Sequence, residues 1–296
     1  LHFDVMVATP YLPRKGETLI GDAWWWKPGG KGGNQAMAAA RHGAHTQMIG
    51  CLGDDLFGMR LRERLAGAGV GLERVSTVVE GSGMSVAIQE RGGDYAAIVV
   101  SGANRGLLPE HVEAGAPFIG SSTVVLLQNE IAEATNVAAA SLARAAGATV
   151  LLNAAPARTP GALQGLVDVL VVNGVEAEQL GAAAVTDLDS ATSAALALRS
   201  LAGAVVVTAG GAGVACHAGG DAWSEPAHPV EQPETHGAGD VFCGALAARL
   251  AGGDDLHASL GYANAAAALH VGTPEAERDH LGPADVQALR SSATSG

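Results

Sequence analysis

The sequence is poor in cysteine and in basic residues, and each shortage excludes a class of protein. Its three cysteines, Cys51, Cys216 and Cys243, are scattered and odd in number, which excludes a disulfide framework and a metal-ligand spacing. We therefore expect a reducing, cytoplasmic setting. Lysine and arginine total 17 against 30 acidic residues, and the net charge of −13 argues against nucleic acid or an anionic membrane as a partner.

Long apolar runs are also missing. No segment reaches the ~18 consecutive apolar residues of a membrane span, and we recognise no signal peptide. The chain opens inside a predicted strand, so we expect native residues before Leu1. A length of 296 residues suits one large α/β domain with a good core. The 41 glycines are about double the usual share, which favours tight turns and close packing of helices on a sheet.

Residues 122–208 alternate between short apolar segments and helical ones. This rhythm predicts a mostly parallel sheet covered by helices on both faces, with strands at 124–128, 149–152, 169–172 and 204–208. Ligands of such sheets bind beyond the carboxyl ends of the strands. The polar residues predicted to stand at those ends are Glu130, Asn153, Asn173 and Thr208.

The N-terminal third predicts a second, smaller sheet. A first strand covers residues 3–7, where Asp4 is unusual because burying a lone carboxylate is costly; both a binding role and a paired structural role stay open. Trp24, Trp25 and Trp26 cannot all face one core from a strand, because side chains alternate. Together with a predicted hairpin at 85–89 and 95–100, this segment would form a small sheet that acts as a lid or a dimer surface.

Two glycine-rich strings carry the candidate chemistry. Residues 29–36 predict a turn that leads into a helix ending at Gly43; the string is not a Walker A loop. Its glycines would let a small polar ligand lie against bare backbone, and the Asn34 amide could bind hydroxyl groups. The alternative for this string is a simple packing turn.

The second string, residues 234–240, predicts a small-residue turn that opens a helix. Gly237, Ala238 and Gly239 leave backbone N–H groups accessible to an anion, and the helix dipole favours negative charge there. Asp240 at the same end could accept a proton from a substrate hydroxyl. An anion cradle beside a general base is what phosphoryl transfer to an alcohol needs. The alternative is a glycine turn capped by an aspartate.

Taken together, these strings resemble those of a ribokinase-like sugar kinase of the PfkB carbohydrate kinase family, and the similarity covers essentially the whole chain. The two signatures are Gly29-Gly30-Lys31-Gly32-Gly33-Asn34-Gln35-Ala36 and Glu234-Thr235-His236-Gly237-Ala238-Gly239-Asp240. Supporting matches are Gly102-Ala103-Asn104, the turn from Asn153 to Pro156, Asn173-x-x-Glu176 and Thr208-x-Gly210.

The resemblance implies a three-layer α/β/α ribokinase-like fold with a nine-stranded, mostly parallel sheet in a single domain, 1–296. A small β-sheet lid would come from about 11–28 and 84–100, and in related enzymes the lid often forms a homodimer. The implied activity transfers the γ-phosphoryl group of ATP to a primary hydroxyl of a furanose sugar, ribose or a related pentose or ketohexose first.

The resemblance also assigns roles by motif position. The catalytic set would be Asp240 as the base, with Gly237, Ala238 and Gly239 as the anion hole. The sugar would be held by Asp4, Gly30, Lys31, Asn34 and Glu130. Asn173 and Glu176 would organise phosphates and Mg²⁺ through water, and Thr208, Gly210 and Asn264 would line the nucleotide site. Glu234 would mark a site for a monovalent cation such as K⁺.

Several positions depart from the family pattern, and these departures put the identity of the sugar in doubt more than the chemistry. Glu234 stands where the family usually has Asp, and the added methylene could move or abolish a cation site. His236 replaces a small or apolar residue and is either a neutral spacer or a new phosphate contact. His2 lies where ribokinases tend to carry a sugar-binding Asn.

Two other functions stay open at this point. A nucleoside kinase of the same fold would need an apolar or aromatic slot for a base, for which the tryptophan triplet and Phe118 are the candidates. A sugar- or nucleotide-binding sensor without turnover is the non-enzymatic alternative. The presence of Asp240 argues against a sensor, because binding alone needs no base at that position.

Overall fold

The computed structural model describes residues 1–91, 95–121, 123–231 and 235–293. The strands in these ranges are β1 (His2–Thr9), β2 (Ala23–Gly29), β3 (Gln47–Gly53), β4 (Gly71–Val78), β5 (Met84–Glu90), β6 (Tyr95–Val100), β7 (Val124–Gln128), β8 (Thr149–Asn153), β9 (Val169–Asn173), β10 (Ala204–Thr208), β11 (Gly213–Ala218) and β12 (Asp221–Pro226). The helices are α1 (Lys31–Arg41), α2 (Leu56–Gly67), α3 (Pro109–Ala114), α4 (Ala116–Gly120), α5 (Glu133–Ala145), α6 (Gly174–Gln179), α7 (Leu188–Ala197), α8 (Ala238–Ala251), α9 (Leu256–Gly272) and α10 (Pro283–Ala293).

The central sheet contains six strands in the order β12-β11-β10-β9-β8-β7. Strands β7 to β10 run parallel, whereas β11 and β12 add an antiparallel edge. The mostly parallel sheet predicted from the sequence is thereby confirmed, and all four of its predicted strands are present. The edge hairpin was missed, although Gly219 and Gly220 at its turn are a hairpin signal.

Helices cover both faces of the inner strands β8, β9 and β10, which are therefore apolar and buried at consecutive positions. Side chains that point to one face pack against α8 and α9; examples are Leu151, Val171 and Val206 with Phe242, Leu246 and Leu260. Their sequence neighbours point to the other face and pack against α5 and α7, as Leu152, Val172 and Val207 do with Ala140, Ala143 and Ala194. The result is the three-layer arrangement of helix, sheet and helix.

A second sheet has four strands in the order β2-β1-β5-β6. The tryptophan segment and the hairpin do pair in one small sheet, but β1 lies between them, parallel to β5 and antiparallel to β2. Asp4 is therefore a residue of the small sheet. Strands β3 and β4 form a parallel pair of their own, so hydrogen bonding in the described ranges gives no continuous nine-stranded sheet.

The tryptophan side chains alternate between the two faces of the small sheet, with Trp24 and Trp26 on one face and Trp25 on the other, and all three are at least 40% exposed. The ring of Trp26 stacks on Phe3 at 5.0 Å between centroids, and Phe3 stacks on Phe57 of α2 at 4.5 Å. Trp24 is 69% exposed and Ile98 of β6 is 73% exposed. These two side chains lie on the same face of the small sheet, which thus presents apolar surface to solvent.

Helices α1 and α8 pack unusually closely, and Gly244 makes this possible. A Cβ atom at Gly244 would lie 2.5 Å from the Gln35 carbonyl oxygen and 2.6 Å from the Ala38 Cβ. This contact places the two helices that begin with the glycine-rich strings side by side.

In the described residues, none of the helices combines the length and the apolar character that crossing a membrane requires.

Candidate active site

Helix α1 begins at Lys31, within the first glycine string and five residues before its last residue, Ala36. Gly30 precedes the helix with φ +86°, and a Cβ there would lie 2.7 Å from the His2 backbone nitrogen, so only glycine fits. The Lys31 N–H donates to Glu130 Oε2 at 2.9 Å, which satisfies one of the free donors of the first turn. Burial against α8 offsets the low helix propensity of Gly32 and Gly33.

Helix α8 begins at the second string, as predicted. Gly237 is its N-terminal flanking residue with a left-handed φ of +82°, and Asp240 is the third helical residue. The backbone groups proposed as an anion hole therefore lie in the first turn, where N–H groups lack intrahelical partners. The Ala238 N–H donates to the Thr235 carbonyl at 3.3 Å, a contact that an incoming anion would compete with.

The Asp240 carboxylate is held by two consecutive residues of α1. Asn34 Nδ2 donates to Oδ2 at 2.9 Å, and Gln35 Nε2 donates to Oδ1 at 3.0 Å. Desolvation raises the pKa of Asp240 above its ordinary value, while the Asn34 amide, the charge of Lys31 and the Gln35 amide oppose that rise. The sequence argument had expected an ionised carboxylate stabilised by the helix; burial adds an influence in the other direction.

The contact of Gln35 was missed from the sequence. This side chain is fully buried, and it also donates to Asn153 Oδ1 at 3.0 Å while its own Oε1 accepts from Gln128 Nε2 at 2.7 Å. A signal was available, because a glutamine followed by the apolar Ala36 and Met37 on a buried helix face needs polar partners.

On the small sheet, Asp4 lies within electrostatic range of His236, as Asp240 does. Ser85 Oγ donates to Asp4 Oδ1 at 2.6 Å, and the missing Cβ of Gly29 leaves room for Oδ2. Lys27 stands directly opposite Asp4 in the strand register. Asp4 is therefore hydrogen-bonded, and its second oxygen has no part in the Ser85 contact.

Glu130, which was also predicted to bind the sugar, lies beside His2, with 3.9 Å between Glu130 Oε2 and His2 Nδ1.

A cavity of about 600 Å³ opens between β2, α1, α2 and the start of α8. Asn34, Gly237 and Asp240 line it at one end, and Arg41, Arg64 and Asp279 line it at the other. Asp279 is paired with both arginines at 2.5 Å, which ties the C-terminal segment to α1 and α2. The base predicted from the sequence thus borders open space next to Asn34.

His236 also lines this cavity. Desolvation lowers its pKa, and the nearby Lys27 lowers it further, whereas Asp4, Asp240 and Glu275 oppose that change. A neutral imidazole at neutral pH is in keeping with the spacer interpretation. Its backbone carbonyl is 3.1 Å from His270 Nε2, so the turn before α8 is anchored to α9.

The residues predicted to bind nucleotide line the carboxyl edge of the central sheet. Asn173 and Thr208 are register partners at the ends of β9 and β10, and Gly210 follows with φ +54°. Asn173 and Glu176 cap α6 reciprocally: Glu176 Oε2 accepts from the Asn173 N–H at 2.9 Å, and Asn173 Oδ1 accepts from the Glu176 N–H at 2.8 Å. Desolvation raises the pKa of Glu176, and Asp240 adds to the rise while Lys31 opposes it.

Among the described residues that were predicted for the site, Asn34, Gly237 and Asp240 line the cavity, and the others do not. Asn264 is buried and donates from Nδ2 to the Pro226 carbonyl at 2.8 Å, so it anchors the end of β12. A nucleotide contact would have to use the rest of its amide. Glu234, predicted as a monovalent-cation ligand, lies outside the described residues.

Comparisons with known proteins identify the family of this chain. The model of the pfkB family of carbohydrate kinases matches residues 3–280. The ribokinase of Bacillus subtilis (strain 168) is 35% identical over 268 residues, which is 90% of this chain and 89% of that protein. The deoxyribokinase of Salmonella typhi is 30% identical over 262 residues, 87% of this chain and 85% of that protein.

A solved structure supports the fold independently. The structure of Arabidopsis thaliana ribokinase complexed with ribose and ATP superposes with a TM-score of 0.90 at 29% sequence identity, covering 97% of this chain and 95% of that one. The ribokinase-like fold and the two-signature family assignment are therefore confirmed. This chain belongs to the pfkB family of carbohydrate kinases.

Proposed function

We propose that this carbohydrate kinase transfers the γ-phosphoryl group of ATP to a primary hydroxyl of a furanose sugar, with ribose as the preferred acceptor. The observation that carries the proposal is the Asp240 carboxylate, held between Asn34 and Gln35 at the N-terminus of α8 and bordering a cavity. The ribokinase relatives and the structure with ribose and ATP support the acceptor and the donor.

The proposed reaction is an in-line displacement. Asp240 accepts the proton of the sugar hydroxyl as the sugar oxygen bonds to the γ-phosphorus, and the bond from phosphorus to the bridging oxygen breaks to release ADP. A carboxylate whose pKa is raised by desolvation is a stronger base than an exposed aspartate. The first-turn N–H groups at Gly237, Ala238 and Gly239 would stabilise the charge on the migrating group.

Acceptor binding would involve Asp4, Gly30, Lys31, Asn34 and Glu130. Asn34 has one N–H on Asp240 and a second donor and an acceptor left for sugar hydroxyls. Asp4 would contribute the oxygen that Ser85 does not engage. Glu130 already accepts the Lys31 N–H, so its remaining oxygen would bind the sugar.

The phosphate side would be organised by Asn173 and Glu176, with Thr208, Gly210 and the segment anchored by Asn264 lining the nucleotide. These residues fit Mg²⁺, which is usually held by one or two carboxylates plus water and substrate phosphates. Consistent with that mode, the described residues contain no cluster of three or more His, Cys, Asp or Glu arranged to hold a metal. When bound, the ion would neutralise charge on the phosphates. The monovalent-cation site at Glu234 stays a prediction.

A nucleoside kinase is the second candidate, and Trp26 is the observation that keeps it. This ring lines the cavity and could stack on a base, with Arg60 6.0 Å from its centroid. Phe118 offers no such support, because it lies in α4 under the guanidinium of Arg74, away from the cavity lining. The hydrogen bonds that hold the Asp240 carboxylate weaken the sensor alternative, because a protein that only binds its ligand needs no base at that position.

The test is an assay of ADP release with ATP and Mg²⁺ across D-ribose, 2-deoxy-D-ribose, D-fructose and adenosine. We expect the highest kcat/KM with D-ribose. Preference for adenosine would establish the nucleoside kinase, and binding without turnover on all acceptors would establish the sensor.

The substitution Asp240→Asn tests the base directly. It should lower kcat by about 10²–10⁴-fold while ATP affinity, measured by calorimetry, stays nearly unchanged. Unchanged turnover in this variant would remove the base assignment.

Three further features complete the proposal. The chain is one kinase domain, 1–296, whose lid comprises about 11–28 and 84–100 with β1 at its centre. Lid closure would exclude water and limit ATP hydrolysis.

The exposed apolar face with Trp24 and Ile98 supports a homodimer formed through the lid sheets. The buried, free thiols of Cys51, Cys216 and Cys243 support a reducing, cytoplasmic compartment.

A further inference from the structure

One buried side chain next to the proposed base has no role in the mechanism above. Gln35 is 0% exposed and contacts three polar side chains from three different elements. Its Nε2 donates to Asp240 Oδ1 at 3.0 Å and to Asn153 Oδ1 at 3.0 Å, and its Oε1 accepts from Gln128 Nε2 at 2.7 Å. Both amide hydrogens are thus in use.

The network permits only one orientation of the Gln35 amide. A flipped amide would place Oε1 against the Asp240 carboxylate and would place its NH₂ group against the NH₂ group of Gln128. Both contacts would be repulsive and buried, and an unsatisfied buried polar group costs more than an ordinary hydrogen bond yields. Gln128 and Asn153 stand at the ends of β7 and β8, so the central sheet itself fixes the amide.

The two Asp240 oxygens differ in their surroundings as a result. Oδ1 is bound by the fully buried Gln35, whereas Oδ2 is bound by Asn34, which is partly exposed and lines the cavity. A substrate hydroxyl that approached from the cavity, on the side of Asn34, would meet Oδ2.

We propose that Gln35 is a positioning residue that binds Asp240 Oδ1 and thereby directs Oδ2 toward the acceptor hydroxyl as the proton-accepting atom. The proposal rests on the assignment of Asp240 as the base. It adds a chain of side-chain amides, from Gln128 through Gln35 to Asp240, by which the edge of the central sheet holds the base in place.

The proposal predicts a change in the pH dependence of turnover. The Gln35 hydrogen bond favours the ionised carboxylate, so its loss should raise the pKa of Asp240 further. The other titratable groups around Asp240 are Lys31 of α1, Glu130, Glu176 of α6, His236 and Cys243 on α8 itself. Substitution at position 35 removes none of them.

The test measures kcat against pH with D-ribose and ATP–Mg²⁺ for Gln35→Met, which keeps the length of the side chain and removes both donors. We expect kcat at neutral pH to fall by roughly ten- to a hundred-fold, the range for a lost hydrogen bond to a charged group. The acid limb of the profile should move up by about one pH unit, and KM for D-ribose should change by less than about threefold, because Gln35 does not face the cavity.

A second variant keeps the test valid if Gln35→Met does not fold. Gln128→Met leaves the Gln35 donors in place but removes the group that fixes the amide, so the acid limb should shift in the same direction by a smaller amount. His42→Phe is the matched control: His42 is a buried polar residue of the same region, bonded to the Tyr262 hydroxyl at 2.9 Å, and its loss should lower stability without moving the limb.

The outcomes separate this inference from the proposed function. If Asp240→Asn stays active, the base assignment itself is wrong. If Asp240→Asn is inactive but the acid limb of Gln35→Met and Gln128→Met coincides with that of the wild type, Gln35 is only a structural residue and the inference is overturned. An equal shift in His42→Phe would also overturn it.

Discussion

At the scale of single residues, Asp240 is subject to two opposing influences. Burial disfavours its charge, while two amides and the charge of Lys31 favour it. The net effect raises its pKa, which suits a base that must accept a proton from an alcohol near neutral pH. The supports come from α1, so the strength of the base depends on contacts that no local sequence pattern contains.

This balance predicts the acid side of the pH–rate profile. The pKa of Asp240 is raised above the 3.8 of an ordinary aspartate, and only the deprotonated form can accept the hydroxyl proton. Turnover should therefore be lost, as pH falls, at a pH above 3.8. The measurement is kcat at saturating D-ribose and ATP across the acid range, with unfolding monitored by circular dichroism. An acid limb at or below the ordinary aspartate value would contradict the raised pKa.

Asn34 provides the second prediction at this scale. Its amide reaches both Asp240 and the cavity, so Asn34→Ala should raise KM for D-ribose by about ten-fold or more, as expected for the loss of hydrogen bonds to a polar ligand. ATP affinity should change much less, because the nucleotide residues lie at the ends of β9 and β10. Titration calorimetry with each ligand separately checks this, and equal losses would count against the sugar-site assignment.

At the scale of elements, the contact between α1 and α8 brings the two signatures together. The side chains of Asn34 and Gln35 on α1 donate hydrogen bonds to Asp240 on α8. Gln35 and Asp240 are 205 positions apart in the sequence. The separation of the helices is set where Gly244 faces the backbone of Gln35 and Ala39. Packing at this point therefore controls the geometry of the base.

The substitution Gly244→Ala tests this dependence. The added Cβ would lie 2.5 Å from the Gln35 carbonyl oxygen, so the helices must separate. We expect destabilisation of about 1–3 kcal/mol, the usual cost of overpacking, together with a lower kcat. Gly67→Ala on α2 is the control, because a Cβ there meets no atom within 4 Å. Chemical denaturation and steady-state kinetics measure both effects; a neutral Gly244→Ala would mean that the contact is looser than described.

At the scale of the whole molecule, the lid sheet has one side that the described chain leaves open. Trp24 and Ile98 on this face are largely exposed, whereas Phe3 near one end of the same face stacks on both Trp26 and Phe57 of α2. Asp4 belongs to this sheet, so a movement of the lid would also move a proposed sugar contact. Dimer formation and sugar binding would thus share one element.

The double substitution Trp24→Ser with Ile98→Ser should convert the proposed homodimer into a monomer, because it removes apolar surface at the centre of the interface. Light scattering coupled to size-exclusion chromatography measures the mass. Val79→Ser is the control, since Val79 is fully exposed but lies outside the lid strands and should leave the mass unchanged. A wild-type protein that is monomeric at all concentrations would contradict the dimer.

The sequence by itself determined the family of the protein and its fold class, and it predicted the residues of the candidate site. Alternating apolar segments predicted the parallel core of the central sheet, and the two glycine-rich strings predicted the base and its neighbours. These features are readable because strand and helix periodicities and glycine turns are local properties of a chain.

Only the tertiary structure decided the rest. Strand β1 belongs to the lid sheet, helix α1 starts at Lys31, and Gln35 donates a hydrogen bond to Asp240. Each depends on a partner far along the chain: Ser85 for β1, Glu130 for the start of α1, and Gln128 and Asn153 for the amide of Gln35. The physical reason is that hydrogen bonds and burial between distant segments set the register, the helix start and the pKa, and local patterns do not encode which segments meet.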